Sequence, residues 1–227
     1  MNILAIDTAD QVLSAALETK SGFWYSEINA GSRHSELLLE CVDGLFKSAC
    51  QSPLDLNFVA CMKGPGSFTG LRIGFSTAKG ICRVAGIPLI TVSTLDCLAF
   101  PHSVWPGIVL PAIDAKKGCF FAALYREGKR LTDQLDAPPE TLAKLLAETQ
   151  LNPDERVLLT GSGADMLCSG LSAITSSERI FVNQKSKTGM ARELHMIAKN
   201  CIITQFSDDI DSGPEYIRKS DAELKSR

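Results

Sequence analysis

Over the first thirty positions apolar residues come in short runs, and over the next twenty they recur every three or four residues. The runs at 2–7, 12–18 and 23–28 are separated by Thr-Ala-Asp and Lys-Ser-Gly turn material, which predicts an antiparallel meander of three strands. From Ser32 or Ser35 to about Cys50, Leu38, Val42, Leu45, Phe46 and Ala49 repeat at helical spacing and Pro53 lies just beyond, so a helix is expected. Gly44 costs that helix up to ~1 kcal/mol against alanine, which suggests close packing there. The run at 57–62 reads as a buried strand. It feeds KGPGSFTGLRIGFSTAKG at 63–80, the most unusual segment of the chain. A second helix is expected at about 69–85, ended by Gly86 and Pro88. A strand at 88–92 and a short helix at 93–100 come next.

The stretch PHSVWPG at 101–107 has the prolines and glycine of a hinge, and beyond it the chain repeats its beginning. Ile6-Asp7 matches Ile113-Asp114, and Ala15-Ala16-Leu17 matches Ala122-Ala123-Leu124, both at an offset of 107 residues. The second copy reads as strands near 108–114, 118–125 and 130–135, a helix at 139–149, and a strand at 156–161 leaving through Gly161-Ser162-Gly163. A helix at 188–203 is expected to close it. The fold class is therefore α/β, with two βββαβα halves at 1–103 and 104–227. That is the duplicated, ribonuclease H-like order of the actin-like (ASKHA) class, an association that does not fix function.

Composition narrows the function classes. With 45% hydrophobic and 22% charged residues the chain can bury a substantial core, and at a net charge of -3 no global positive field draws it to nucleic acid. Lys116-Lys117, Arg126/Lys129/Arg130 and Arg218-Lys219 are small clusters that read as solvated faces. No run approaches the ~18 apolar residues of a membrane span, and the N-terminus lacks a basic region followed by an apolar one. Eight cysteines without a C-x-x-C pair fit a reduced, cytoplasmic protein.

Candidate chemistry centres on Asp7, Asp114 and the glycine segment. Each aspartate follows a first strand and suits a metal, phosphates or a water, or else caps a tight turn. Gly64, Gly66 and Gly70 could bring backbone amides to phosphate, or permit tight strand-to-helix packing. The segment is not a Walker A loop, lacking the Gly-Lys-Ser/Thr, and G-x-G-x-x-x-G is one residue too long for a dinucleotide fingerprint. His34, His102 and His195 are far apart with no H-E-x-x-H, so zinc hydrolysis is not expected. His34-Ser35-Glu36 reads as a helix start rather than as nucleophile and base. An ATP-dependent small-molecule kinase or nucleotide hydrolase is the enzyme alternative.

ILAIDTA at 3–9, HSELLLECVDGLF at 34–46, GPGSFTGLRIG at 64–74, STLDCLA at 93–99 and PEYIRK at 214–219 resemble the TsaB (YeaZ) family. The resemblance implies a non-catalytic subunit required for formation of N6-threonylcarbamoyladenosine in tRNA. Its implied partners are TsaD, the catalytic and metal-binding paralogue, and the ATPase TsaE, with tRNA met only through the complex. It implies a homodimer when the chain is alone, no intrinsic cofactor, and at most ATP or ADP with Mg at the subunit junction. Where TsaD-type proteins carry paired histidines this chain has Thr91 to Cys97 without one, so their metal site does not transfer. The implied docking surface lies on the two helices of the first half. On this sequence it is carried by Leu38, Val42, Leu45, Arg72, Gly74, Ala78, Lys79 and Arg83, with core packing as the other reading of the small and apolar residues.

Overall fold

In the computed structural model, which describes residues 1–149, 155–174, 178–183, 188–203 and 213–217, the first meander is β1 (Ile3–Asp7), β2 (Val12–Thr19) and β3 (Gly22–Asn29). Helix α1 (His34–Ala49) leads to β4 (Phe58–Gly64), α2 (Phe68–Ala85), β5 (Leu89–Ser93) and α3 (Thr94–Ala99). The sheet order is β3-β2-β1-β4-β5, with β1 antiparallel to β2 and parallel to β4. Leu4, Ile6, Val59 and Cys61 alternate onto one face and meet Leu38, Val42, Leu45 and Phe46 of α1 and Phe75, Ala78 and Cys82 of α2. Each of the larger side chains contributes about 1.5–3 kcal/mol by leaving water.

The second sheet repeats this order with β6 (Gly107–Asp114), β7 (Phe120–Ala122), β10 (Leu135–Ala137), β11 (Arg156–Thr160) and β12 (Ile180–Val182), arranged β10-β7-β6-β11-β12. Helices α4 (Pro139–Thr149) and α5 (Ala164–Ser172) cover one face around Leu110, Ala122 and Leu159. The strand expected near 130–135 is found a few residues later as β10, and a hairpin of two short strands, β8 (Tyr125–Arg126) and β9 (Lys129–Arg130), precedes it off the main path of the sheet. The duplication written in the 107-residue offset is thus a duplication of topology.

One expectation is corrected. Helix α6 (Ala191–Ile203) does not close the second half: the described residues group as 1–97 with α6, and separately as those from Leu98 to Asn183. Ala191, Leu194 and Ala198 cover the other face of the first sheet, against Ile3, Ala5, Phe58, Ala60 and Ile90. Helix α1 adds no buried side chain to that apolar face and α2 adds only Leu71, so burial draws the distant helix onto it. The second helix of the second copy is α5, whose nine residues bury only Ala164, Leu167 and Leu171 and so leave a faint periodic signal. Of the motif PEYIRK, Arg218 and Lys219 lie outside the described residues.

Candidate functional site

The glycine segment packs against the β1–β2 turn more closely than any side chain would permit. A β-carbon on Gly66 would lie 2.4 Å from the carbonyl oxygen of Ala9, one on Gly70 2.1 Å from that of Thr8, and one on Gly74 2.3 Å from Thr8 Oγ1. Gly64 closes β4 with φ +109, which glycine alone adopts easily. Two amides of this strand exit are engaged by the chain itself. Ser67 N–H donates to Ala9 O at 2.7 Å, Gly70 N–H to Ser67 Oγ at 3.2 Å, and Thr8 Oγ1 donates to Gly70 O at 2.8 Å.

Asp7 is buried at the same turn. Its Oδ1 accepts Ala9 N–H at 3.0 Å and its Oδ2 accepts Met190 N–H at 2.8 Å, with Ser14 Oγ at 3.4 Å from Oδ2. Burial pushes its carboxyl up to about 6, against the pull of the two backbone amides. Of the residues nominated for phosphate, Asp7, Gly66 and Gly70 meet at the β1–β2 turn, where residues 8–9 lie against the two glycines and the carboxylate faces the entry of α6, while Gly64 ends β4. They do not fit a nucleotide phosphate in this arrangement. Asp114, in the other unit, accepts Lys116 N–H at 2.7 Å and pairs with its ammonium at 2.6 Å, which holds its carboxyl below the usual range. Among the described residues no group of three or more His, Cys, Asp and Glu side chains could hold a metal. His34 is buried with Nε2 at 2.7 Å from Asp10 O, a structural role at the start of α1.

On the outer side of α1 and α2 the residues nominated for docking divide. Leu38, Val42, Leu45, Gly74 and Ala78 are buried in the core or against Thr8, a correction of their expected place on the surface. Their spacing marks the side of each helix that the sheet covers, and only Leu38 also touches the groove outside. Arg72 and Arg83 are exposed and Lys79 is half-buried. The guanidinium of Arg72 lies 3.7 Å from the centre of the Phe68 ring, a cation–π stack.

What lies outside instead is an open groove of about 460 Å³ between the two helices, lined by Ser35, Leu39, Phe68, Thr69, Arg72 and Ile73 among others. Leu39 is 63% exposed and Val84 78% exposed. The periodic reading passed over these apolar residues because they fall off the buried stripes. Leu37-Leu38-Leu39 in LLLEC was the available signal, since three consecutive leucines span about 200° of a helix, more than one buried face covers.

With fold and groove established, relatives can be placed. Residues 27–222 match the protein family described as "TsaD: tRNA N6-adenosine threonylcarbamoyltransferase". The chain is 27% identical over 226 residues to the tRNA threonylcarbamoyladenosine biosynthesis protein TsaB of Bacillus subtilis, covering 99% of this chain and 97% of that one. The chain belongs to this family, on its TsaB (YeaZ) branch. TsaB of Escherichia coli is 38% identical over 131 residues, about half of each chain (56% and 55%). The solved structure of YeaZ from Pseudomonas aeruginosa, at 22% identity, superposes with a TM-score of 0.77 over 95% of this chain and 99% of its own, which shows a shared fold. A TsaB-family chain with this groove offers a surface between helices, while its glycine segment is spent on its own packing.

Proposed function

We propose that this chain is a non-catalytic cytoplasmic subunit in the formation of N6-threonylcarbamoyladenosine in tRNA, docking on TsaD through the outer side of α1 and α2. TsaE joins the same assembly, and tRNA meets the chain only through it. The observation that carries this reading is the apolar groove between α1 and α2, flanked by Arg72, in a chain whose relatives are named as threonylcarbamoyladenosine biosynthesis proteins. Exposed apolar side chains grouped in a groove are what a partner subunit covers.

The engagement of Asp7 and the glycine segment by the chain's own backbone supports the absence of an intrinsic nucleotide site there. ATP or ADP with Mg, if drawn into the assembly, then rests mainly on the partner's side of the junction. The test is co-purification with TsaD, measuring tRNA modification with and without this chain. Modification that proceeds equally well without it, or ATP turnover by this chain alone, would overturn the proposal.

A further inference from the structure

Helix α6 is tied to the first sheet at two rows of residues. Asp7, Ser14 and Glu27 lie side by side across β1, β2 and β3 and hold residues 189–191. At the other end of β1, Ile3, Glu18 and Phe23 form a second row, and there His195 and Lys199 of α6 meet Glu18. This second tie lies on the sheet face that α6 covers, away from α1 and α2.

Glu18 Oε2 lies 2.8 Å from His195 Nε2, and the Lys199 ammonium donates to both carboxylate oxygens, at 2.7 and 3.0 Å. Burial works against the charge of Glu18, yet Lys199 and His195 hold its carboxyl below the usual range. An ionised carboxylate only accepts, so Nε2 is the nitrogen that carries the proton of the neutral ring. Nδ1 is then a bare acceptor, and it is buried without a hydrogen-bond partner among the described residues. The imidazole is 5% exposed and packs edge-to-face on Phe23, 5.2 Å between ring centres.

A second proton is poorly accommodated there. It would put an N–H at Nδ1 with no acceptor, and a buried cation beside the Lys199 ammonium, which already shares the charge of Glu18. Burial pushes His195 below the usual imidazole range, against the pull of Glu18 and with the push of Lys199. The other charges on the elements around α6 stand elsewhere. Asp7 and Glu27 belong to the first row, Lys63 lies at that same end of β4, and β5 has no charged residue. Lys20 is exposed in the β2–β3 turn. Arg192 stands over the rings of Phe23 and Tyr25, 5.5 Å from each centre, and Glu193 interacts with Arg192 and Glu27.

We propose that His195 is a proton-sensitive latch: as a neutral imidazole it holds the C-terminal half of α6 on β2, and on protonation it lets that half go. The unfolded chain takes this proton near pH 6.5 and the folded chain resists it, so the contribution of the latch is fully present above 6.5 and is lost as pH falls from there through the folded value. Asp7 acts in the opposite direction over the same range, since its folded carboxyl takes a proton at about 6. Acid therefore tightens the entry of α6 and loosens its far end, where Ala198 shares a core with Ile3, Ala16 and Phe58.

Hydrogen exchange of the full chain, followed amide by amide along α6 and corrected for intrinsic rate, tests the latch. His195→Gln keeps a nitrogen donor for Glu18 and cannot titrate. From pH 7.5 to pH 5.5 the opening of residues 196–201 should rise roughly threefold in the wild type relative to His195→Gln, with the Asp7 contribution common to both. An unchanged ratio overturns the latch, as does an equal change along the whole of α6. Nitrogen NMR of the wild type gives a second readout that does not depend on the variant folding. The expected result is a proton on Nε2 at pH 7.5 and an imidazole midpoint below 6.5. A proton on Nδ1 at pH 7.5, or a midpoint at or above 6.5, overturns the proposal.

Discussion

The carboxylate of Asp7 accepts the amide of Met190 at 2.8 Å, joining the end of the first strand to the entry of α6. Around that bond, Ala191 N–H donates to Ser14 Oγ at 3.0 Å, Gly189 N–H to Glu27 at 3.1 Å, and Tyr25 OH to Gly189 O at 2.9 Å. Three adjacent strands thus hold three consecutive residues, and the helix that they introduce supplies the second face of the core. A position that invites a metal-binding interpretation in sequence is occupied by a tertiary clasp.

The clasp has a pH signature. Folded Asp7 keeps its proton up to about pH 6, whereas the ordinary value is 3.8. Between those values the folded state binds more protons than the unfolded one, so this group makes the fold more stable as pH falls and less stable as it rises through 6. Integrated over the whole window the effect is on the order of 3 kcal/mol, of which about 1.4 kcal/mol falls between pH 7.5 and pH 5. Urea unfolding of the wild type and of Asp7→Asn at both pH values should show the wild type gaining that amount relative to the variant on acidification. A gap that does not change with pH would refute the assignment.

Gly70 is where the fold tolerates least. An alanine β-carbon would lie 2.1 Å from a backbone oxygen that cannot rotate away, so the helix start and the β1–β2 turn must separate. Gly70→Ala should destabilise by about 1–3 kcal/mol despite alanine's better helix propensity. Thermal denaturation measures it directly. A midpoint at or above wild type would mean that the close approach is not needed.

Much of the fold was legible because apolar runs and turn residues mark the strands of the first half, and Gly86 and Pro88 stop α2 where it ends. Ile6-Asp7 and Ile113-Asp114 exposed the duplication. The ownership of α6 was hidden, since Leu194 and Ala198 say only that this helix buries one side and nothing about which sheet receives it. The outer groove proposed for docking was hidden for the complementary reason. Periodicity selects residues that repeat, and in Leu38, Val42 and Leu45 those repeat toward the sheet, while Leu39 stands alone on the outside.

Leu38 and Leu39 therefore make a natural pair. Leu38 is 1% exposed, and Leu38→Ala should lose about 2–5 kcal/mol of stability through the cavity it leaves. Leu39→Ser should stay within about 0.5 kcal/mol of wild type, because its side chain is already in water. Its effect belongs to association: affinity for TsaD should fall several-fold. Circular dichroism melts beside a binding titration would reveal the opposite assignment, were Leu39→Ser to unfold the chain and leave binding intact.

Arg72 and Arg83 test the electrostatic half of the surface. Both are exposed, so their field reaches an approaching partner within about a Debye length, ~8 Å in physiological salt. Arg72→Glu with Arg83→Glu replaces two attractive contacts by two repulsive ones, which acts chiefly on the association rate. Stability should change little at Arg83, which is exposed, while replacing Arg72 gives up its stack on Phe68. Association with TsaD should slow by tenfold or more at low salt, and the deficit should shrink as salt is raised, since screening weakens attraction in the wild type and repulsion in the variant alike. A deficit of the same size at every salt concentration would point to lost contacts instead of charge. No deficit at all would remove the basic flank from the docking surface and leave only the apolar groove.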